Sequence, residues 1–252
     1  MTARYHIVIP ARMASERLPG KPLADIAGQP LVQHVYRRAC AASAETVIIA
    51  TDDERIASAA GVFGGEALMT SAAHQSGTDR IAECAALSGW PDDALVVNLQ
   101  GDEPLMPPEC LDQVAGLLAD DSGASMASLW WPLQDEAEIA DPNVVKVVTA
   151  ADGSALFFSR SVLPFPRAWG DVSQALRAGQ TWKRHVGLYA YRVGALREFA
   201  ARPPSPLEIA ERLEQLRVLE SGGRIAMARA CRPIPAGVDT EADLERVRGQ
   251  LS

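Results

Sequence analysis

Residues 5–23 read Tyr5-His6-Ile7-Val8-Ile9-Pro10-Ala11-Arg12-Met13-Ala14-Ser15-Glu16-Arg17-Leu18-Pro19-Gly20-Lys21-Pro22-Leu23. The first part, Tyr5–Pro10, is a short apolar run of the kind that forms a strand covered on both faces. Beyond Pro10 the stretch changes character: Arg12, Arg17 and Lys21 bring three cations within ten residues. Ser15 and the backbone N–H groups near Gly20 add neutral donors, Pro19 and Pro22 stiffen the loop, and Gly20 lets the backbone turn. Open α/β sheets hold their ligands at the carboxyl ends of the strands, which is where this loop would lie. Fixed cations and preset donors suit a polyphosphate, since a triphosphate carries about four negative charges at neutral pH. Two familiar phosphate loops are excluded. A P-loop needs GxxxxGK[ST], but Lys21 is followed by Pro22 and the upstream Gly is missing; a GxGxxG fingerprint is absent. A merely basic surface turn is the competing reading.

Outward from this stretch, short β-rich runs alternate with longer helical ones. Strands are expected at Tyr5–Pro10, Thr46–Ala50, Ala94–Asn98, Ser125–Trp130, Val144–Thr149, Leu156–Ser159, Val186–Tyr191 and Arg224–Ala228. Helices are expected at Leu31–Ala42, Asp53–Gly61, Thr78–Leu87, Pro108–Ala119, Pro206–Ser221 and Thr240–Leu251. The alternation predicts an α/β fold with a mostly parallel, doubly wound, Rossmann-like sheet. The Pro/Gly-rich stretch Pro164–Gly179 interrupts the pattern. Strand signals on both sides make it an insertion within one domain rather than a linker.

Composition bounds the function. The chain has 252 residues, 48% hydrophobic and 22% charged, and its formal charge is 24 − 32 = −8. This is an ordinary globular composition, and a chain of this length buries roughly 70–75% of the surface it exposes when unfolded. Net acidity argues against a nucleic-acid binder that relies on a broad basic face, while leaving room for a local cationic pocket. Cys40, Cys84, Cys110 and Cys231 show no CxxC spacing, and no His stands where a zinc site needs one. They read as small buried thiols in a reducing compartment. The opening MTARYHIVIPA is too short in its apolar run for a signal peptide, and no stretch approaches the ~18–20 apolar residues of a membrane span. A cytoplasmic protein with no membrane and no nucleic-acid partner is expected.

The residues from Pro10 to Leu23, P-A-R-x-x-S-x-R-L-P-G-K-P-L, resemble the nucleotide-binding loop of the CMP-sugar synthetases, in the form found in 3-deoxy-manno-octulosonate (Kdo) cytidylyltransferases. Sialic-acid synthetases usually carry a Gly/Ser-rich version instead. Further matching segments occur in the same order: His74-Gln75-Ser76-Gly77-Thr78-Asp79-Arg80, Asn98-Leu99-Gln100-Gly101-Asp102-Glu103-Pro104, Arg184-His185-Val186-Gly187-Leu188-Tyr189, Ser205-Pro206-Leu207-Glu208 with Leu213-Glu214-Gln215-Leu216-Arg217, and Gly237-Val238-Asp239-Thr240. The resemblance runs from about residue 5 to 250 and is weakest over Phe165–Thr181. It implies transfer of CMP from CTP to Kdo with release of pyrophosphate, for lipopolysaccharide biosynthesis, by a Mg²⁺-dependent, cytoplasmic homodimer. It also implies one nucleotidyltransferase domain over residues 1–252, with an inserted sugar-binding and dimerisation region at about 160–192.

Carried onto this sequence, the resemblance implies that Pro10, Ala11, Arg12, Arg17, Lys21, Gln75, Ser76, Thr78 and Arg80 bind CTP. Lys21, Arg12, Asp102 and Asp239 would be catalytic, with Asp102 and Asp239 as Mg²⁺ ligands. Gln100, Arg160, His185, Tyr189, Glu214 and Gln215 would line the Kdo pocket. The bare residues leave alternatives. Asp102 fits a turn, Asp239 fits helix-terminus electrostatics with Thr240 as N-cap, and Ser76 or Thr78 fits a helix cap. Glu214 fits a solvated helix face, while His185, like His6 and His34, fits a structural role. Two carboxylates from distant parts of the chain suit Mg²⁺, which takes few protein oxygens. On a strand, His185 and Tyr189 would face the same side. Competing functions are CMP transfer to another acid sugar (a sialic acid or 8-amino-Kdo), a non-catalytic nucleotide-binding module, and a sugar-1-phosphate nucleotidylyltransferase. The last lacks its usual GxGxRL-type loop here.

Overall fold

The strand β1 (His6–Ala11) shows why the apolar run at the start has no polar side: Ile7 and Ile9 enter one apolar layer, Val8 enters the other, and all three are fully buried. The computed structural model describes residues 3–14, 17–74 and 76–251. After β1 come a 3-10 turn at Lys21–Leu23, a small hairpin of β2 (Asp25–Ile26) and β3 (Gln29–Pro30), α1 (Leu31–Cys40), β4 (Thr46–Thr51), α2 (Glu54–Val62), β5 (Glu66–Met69), α3 (Gly77–Leu87), β6 (Leu95–Asn98) and α4 (Pro108–Asp120). The second half comprises β7 (Met126–Leu133), α5 (Glu136–Ala140), β8 (Lys146–Thr149), β9 (Ala155–Ser159), α6 (Val172–Arg177), β10 (Trp182–Arg192), α7 (Val193–Ala201), α8 (Pro206–Glu211), α9 (Gln215–Glu220), β11 (Ile225–Arg229) and α10 (Glu241–Leu251).

The main sheet runs β11-β7-β10-β6-β1-β4-β5, with β8 and β9 attached through β10. Strands β5, β4, β1 and β6 are mutually parallel, as are β7 and β11, whereas β10 pairs antiparallel with both β6 and β7. Helices cover both faces. Leu31 and Val35 of α1, Leu111 and Val114 of α4, and Leu244 of α10 pack in the layer of Ile7 and Ile9. Ile81 of α3, Leu196 of α7 and Leu216 of α9 pack in the layer of Val8. The expected mainly parallel, doubly wound α/β sheet is therefore present, and its central strands β1 and β6, being parallel, end on the same side of it.

Several details differ from the sequence pattern. The edge strand β5 carries no strand signal in the sequence, because its four residues include Glu66 and none is fully buried. Helix α6 forms inside the Pro164–Gly179 stretch, and β10 starts at Trp182, well before the apolar run that begins at Val186. Helix α7 has no counterpart among the expected elements. The single helix expected over Pro206–Ser221 is two, α8 and α9, separated where Arg212 turns to a left-handed φ of 52°. All four cysteines are free thiols; Cys84 and Cys110 are buried, but Cys40 and Cys231 are exposed. Among the described residues no helix is long and apolar enough to cross a membrane.

The α8–α9 joint is held by a buried ion pair. Arg217 donates through Nε (2.7 Å) and Nη2 (2.5 Å) to the two carboxylate oxygens of Glu208, and through Nη1 to the carbonyls of Phe199 and Arg202. Glu208 also completes a capping box with Ser205 at the start of α8. Removing one member of such a pair strands the other charge in the interior. Arg217→Leu is expected to lower the stability by about 3 kcal/mol. Urea unfolding of two variants tests this: Arg217→Leu combined with Glu208→Leu should recover part of the loss seen with Arg217→Leu alone.

Candidate active site

Beyond the carboxyl ends of β1 and β6 lies a cavity of about 1010 Å³. Pro10, Ala11, Arg12, Arg17 and Lys21 line it from the first loop, and Ser76, Thr78 and Arg80 from the start of α3. Gln100 and Asp102 contribute from the loop after β6, and Arg160, Tyr189, Glu214, Gln215 and Asp239 line it from later segments. Thus residues separated by more than two hundred positions meet in one space. Ser15 and Gln75 lie outside the described residues. His185 does not line the cavity.

At one end Lys21 joins three segments. Its Nζ donates to Asp102 Oδ2 at 2.7 Å, to the Val238 carbonyl at 3.0 Å and to Asp239 Oδ1 at 3.3 Å. Arg17 Nη2 lies 3.1 Å from the same Asp239 oxygen. Lys21 is 15% exposed, so its charge is largely withdrawn from solvent and held by these acceptors. Arg12 is exposed on the wall. The backbones also meet. A Cβ on Gly101 would stand 2.8 Å from the Pro10 carbonyl, and one on Gly237 2.9 Å from the Asp102 carbonyl, both closer than any side chain tolerates. Val238 N–H donates to that same Asp102 carbonyl at 2.8 Å. Burial pushes the neighbouring Glu103 carboxyl up to about 8, and Asp102 adds to the shift, so Glu103 is protonated near neutral pH. Asp102 and Asp239 are the acids here that could hold a cation.

Along the wall formed by α3, Ser76 Oγ caps the helix by accepting from Asp79 N–H at 3.1 Å, while the residue still faces the cavity. Thr78 Oγ1 donates to Glu214 Oε2 at 2.7 Å. Packing around that carboxylate raises its pKa, and the Thr78 bond partly offsets the shift. Arg80 is buried, and its guanidinium is already engaged by Thr70 Oγ1 (2.5 Å) and Asp52 (3.1 Å). Two buried polar atoms on the wall, Asn98 Oδ1 and Gln215 Nε2, have no hydrogen-bond partner among the described residues. An orphaned buried polar atom costs about 1–3 kcal/mol, so each points to something that fills the cavity.

The opposite end is organised by an irregularity in β10. Its pairing with β7 slips between Val186 and Tyr189, and the freed Gly187 carbonyl accepts from Gln100 Nε2 at 2.8 Å. Tyr189 faces the cavity, and its hydroxyl lies 2.7 Å from His185 Nε2. His185 thus stands behind Tyr189, with the Phe158 ring edge-on at 4.8 Å and Ser128 Oγ 3.5 Å from Nδ1. Desolvation drops its pKa to about 3, so the ring is neutral and orients Tyr189. Sequence reasoning missed Tyr191, Phe199 and Arg212 on the wall. Tyr191 could have been found from its alternation with Tyr189 along the strand; Arg212 gave no signal, because the helical pattern runs straight through it.

Three comparisons show what the chain as a whole is similar to. A family model described as cytidylyltransferase matches residues 6–225. A 3-deoxy-manno-octulosonate cytidylyltransferase from Pseudomonas syringae pv. syringae (strain B728a) is 53% identical over 252 residues, covering 100% of this chain and 99% of its own. One of the same name from Saccharophagus degradans is 50% identical over 250 residues, covering 98% of each. Among solved structures, a CMP:2-keto-3-deoxy-manno-octonic acid synthetase complexed with CTP superposes with a TM-score of 0.89, at 41% identity and 98% coverage of both chains.

The depressed His185 pKa carries a stability signature. The folded protein takes up this proton only near pH 3, whereas the unfolded chain takes it up near 6.5, so the contribution is neutral above pH 6.5 and becomes destabilising as pH falls below it. Between pH 7 and 5 the parent protein is expected to lose about 1–2 kcal/mol more than His185→Gln. Urea midpoints across that range check it; parallel curves would show that His185 titrates normally.

Proposed function

The chain belongs to the 3-deoxy-manno-octulosonate cytidylyltransferase family, and on that premise we propose that it transfers CMP from CTP to 3-deoxy-manno-octulosonate and releases pyrophosphate. The observation that carries this reading is the single cavity in which the Arg12–Lys21 loop, the Asp102–Asp239 pair and the Arg160–Tyr189–Gln215 wall meet. Both reactants are anions. Bringing the sugar's anomeric hydroxyl to the α-phosphorus therefore requires fixed positive charge and tight positioning. Arg12, Arg17 and Lys21 supply that charge for the triphosphate. Ser76 and Thr78 present hydroxyls at the start of α3, where the cytosine would be read. Asn98 Oδ1 and Gln215 Nε2 gain partners when the cavity fills. At the other end Gln100, Tyr189, Glu214 and Gln215 meet the sugar hydroxyls, and Arg160 meets its carboxylate.

The donor set also fits Mg²⁺. Asp102 and Asp239 approach one point closely enough to share the Lys21 ammonium, and both offer hard oxygens. Among the described residues no group of three or more His, Cys, Asp and Glu side chains could cage a metal, so the remaining ligands would be phosphate oxygens and water. Bound there, Mg²⁺ would neutralise phosphate charge and acidify the attacking hydroxyl. The reading includes a homodimer, whose contact would cover exposed apolar side chains such as Phe165 and Ile209.

Pyrophosphate release with CTP and Mg²⁺ tests the substrate. Release is expected with 3-deoxy-manno-octulosonate and not with sialic acid, and the reverse preference would overturn the assignment. Asp102→Asn is expected to cut kcat by at least about a hundredfold while leaving the circular dichroism spectrum unchanged. Near-parental turnover at saturating Mg²⁺ would remove Asp102 from the metal site.

A further inference from the structure

Arg160 is held more tightly than a side chain that merely lines a cavity needs to be. Its backbone N–H donates to Glu211 Oε2 at 3.0 Å, its Nε to the Glu211 carbonyl at 2.7 Å, and its Nη1 to the Pro142 carbonyl at 3.0 Å. The other Glu211 oxygen accepts from Ser159 Oγ at 2.7 Å. A second anchor comes from Lys146, a fully buried lysine on β8 whose Nζ donates to the carbonyls of Arg160 (2.6 Å) and Asp141 (2.9 Å). Burial lowers the pKa of this ammonium, while Asp141 and Glu211 offset the shift. Asp141 precedes the residue whose carbonyl holds Nη1, so the clamp closes on itself. Among the described residues, Nη2 is the guanidinium nitrogen left without a hydrogen bond, and Arg160 faces the cavity.

Glu211 ends α8, directly before Arg212, Leu213, Glu214 and Gln215, which form the facing wall. Every acceptor group it has, both carboxylate oxygens and the main-chain carbonyl, goes to residues 159 and 160. We propose that Glu211 is a positioning residue: it locks the Arg160 guanidinium so that its free edge forms a preset seat for the carboxylate of the acid sugar, and it ties that seat to the wall that meets the hydroxyls. The proposal rests on the reading of the cavity as an acid-sugar site. A guanidinium fixed beforehand loses little freedom on binding, which is where the gain in affinity arises.

The test is a double-mutant cycle on the full chain, read by pyrophosphate release with CTP, Mg²⁺ and 3-deoxy-manno-octulosonate. Glu211→Ala is expected to raise the KM for the sugar roughly tenfold while moving the KM for CTP by less than about twofold. Glu211→Gln, which can still accept from the Arg160 N–H and donate to Ser159, should retain most of the parental KM. In an Arg160→Ala background, Glu211→Ala should add nothing further. Multiplying effects, an unchanged sugar KM in Glu211→Ala, or an equal rise for CTP would overturn the proposal while Arg160→Ala still weakens the sugar. If Arg160→Ala itself leaves the sugar KM unchanged, the carboxylate reading of Arg160 falls, and the proposal with it.

Discussion

One ammonium group organises the site. Lys21 Nζ is shared among a carboxylate from the loop after β6, a carboxylate from the segment before α10 and a carbonyl next to that second acid. The lysine and the two acids come from three pieces of chain with no sequence proximity, and an acidic pair of this kind repels itself unless a cation stands between its members. The chain carries a net charge of −8, yet Arg12, Arg17 and Lys21 gather where β1 ends. Local field, not net charge, decides what binds.

The residues around the cavity divide by what they touch. Arg12, Lys21, Tyr189 and Gln215 face the space itself. Arg80 also lines the space but is tied to Asp52 and Thr70, whereas His185 and Glu211 lie outside the lining and bond to Tyr189 and Arg160. Groups held beforehand need not reorganise when a ligand arrives.

Much of this arrangement is legible in the sequence, for identifiable reasons. The central strands announce themselves because both faces are buried, which forces Ile7-Val8-Ile9 and Leu95-Val96-Val97 to be continuously apolar. The loop Arg12–Lys21 is legible because its charges and prolines stand together. The rest is set by tertiary contacts. Strand β5 pairs only at an edge and needs no apolar signature. The break at Arg212 is a single backbone rotation inside a good helical pattern. Lys146, in a Val-rich run, reads like any edge-strand lysine, and only the fold shows that its ammonium is enclosed by two carbonyls. The strand pattern puts His185 and Tyr189 on one side. They do touch, but across a bulge that leaves only the tyrosine in the cavity.

The close approaches at Gly101 and Gly237 give the site a skeleton independent of its charges. Where the Pro10 carbonyl abuts the α-carbon of residue 101, and the Asp102 carbonyl abuts that of residue 237, the gap between loops is fixed by hard-sphere contact. Salt and protons screen or cancel charges, but they leave atomic radii alone. The charges of the site thus sit on loops whose spacing is set by backbone contact, and a side chain at 101 or 237 would have to push those loops apart.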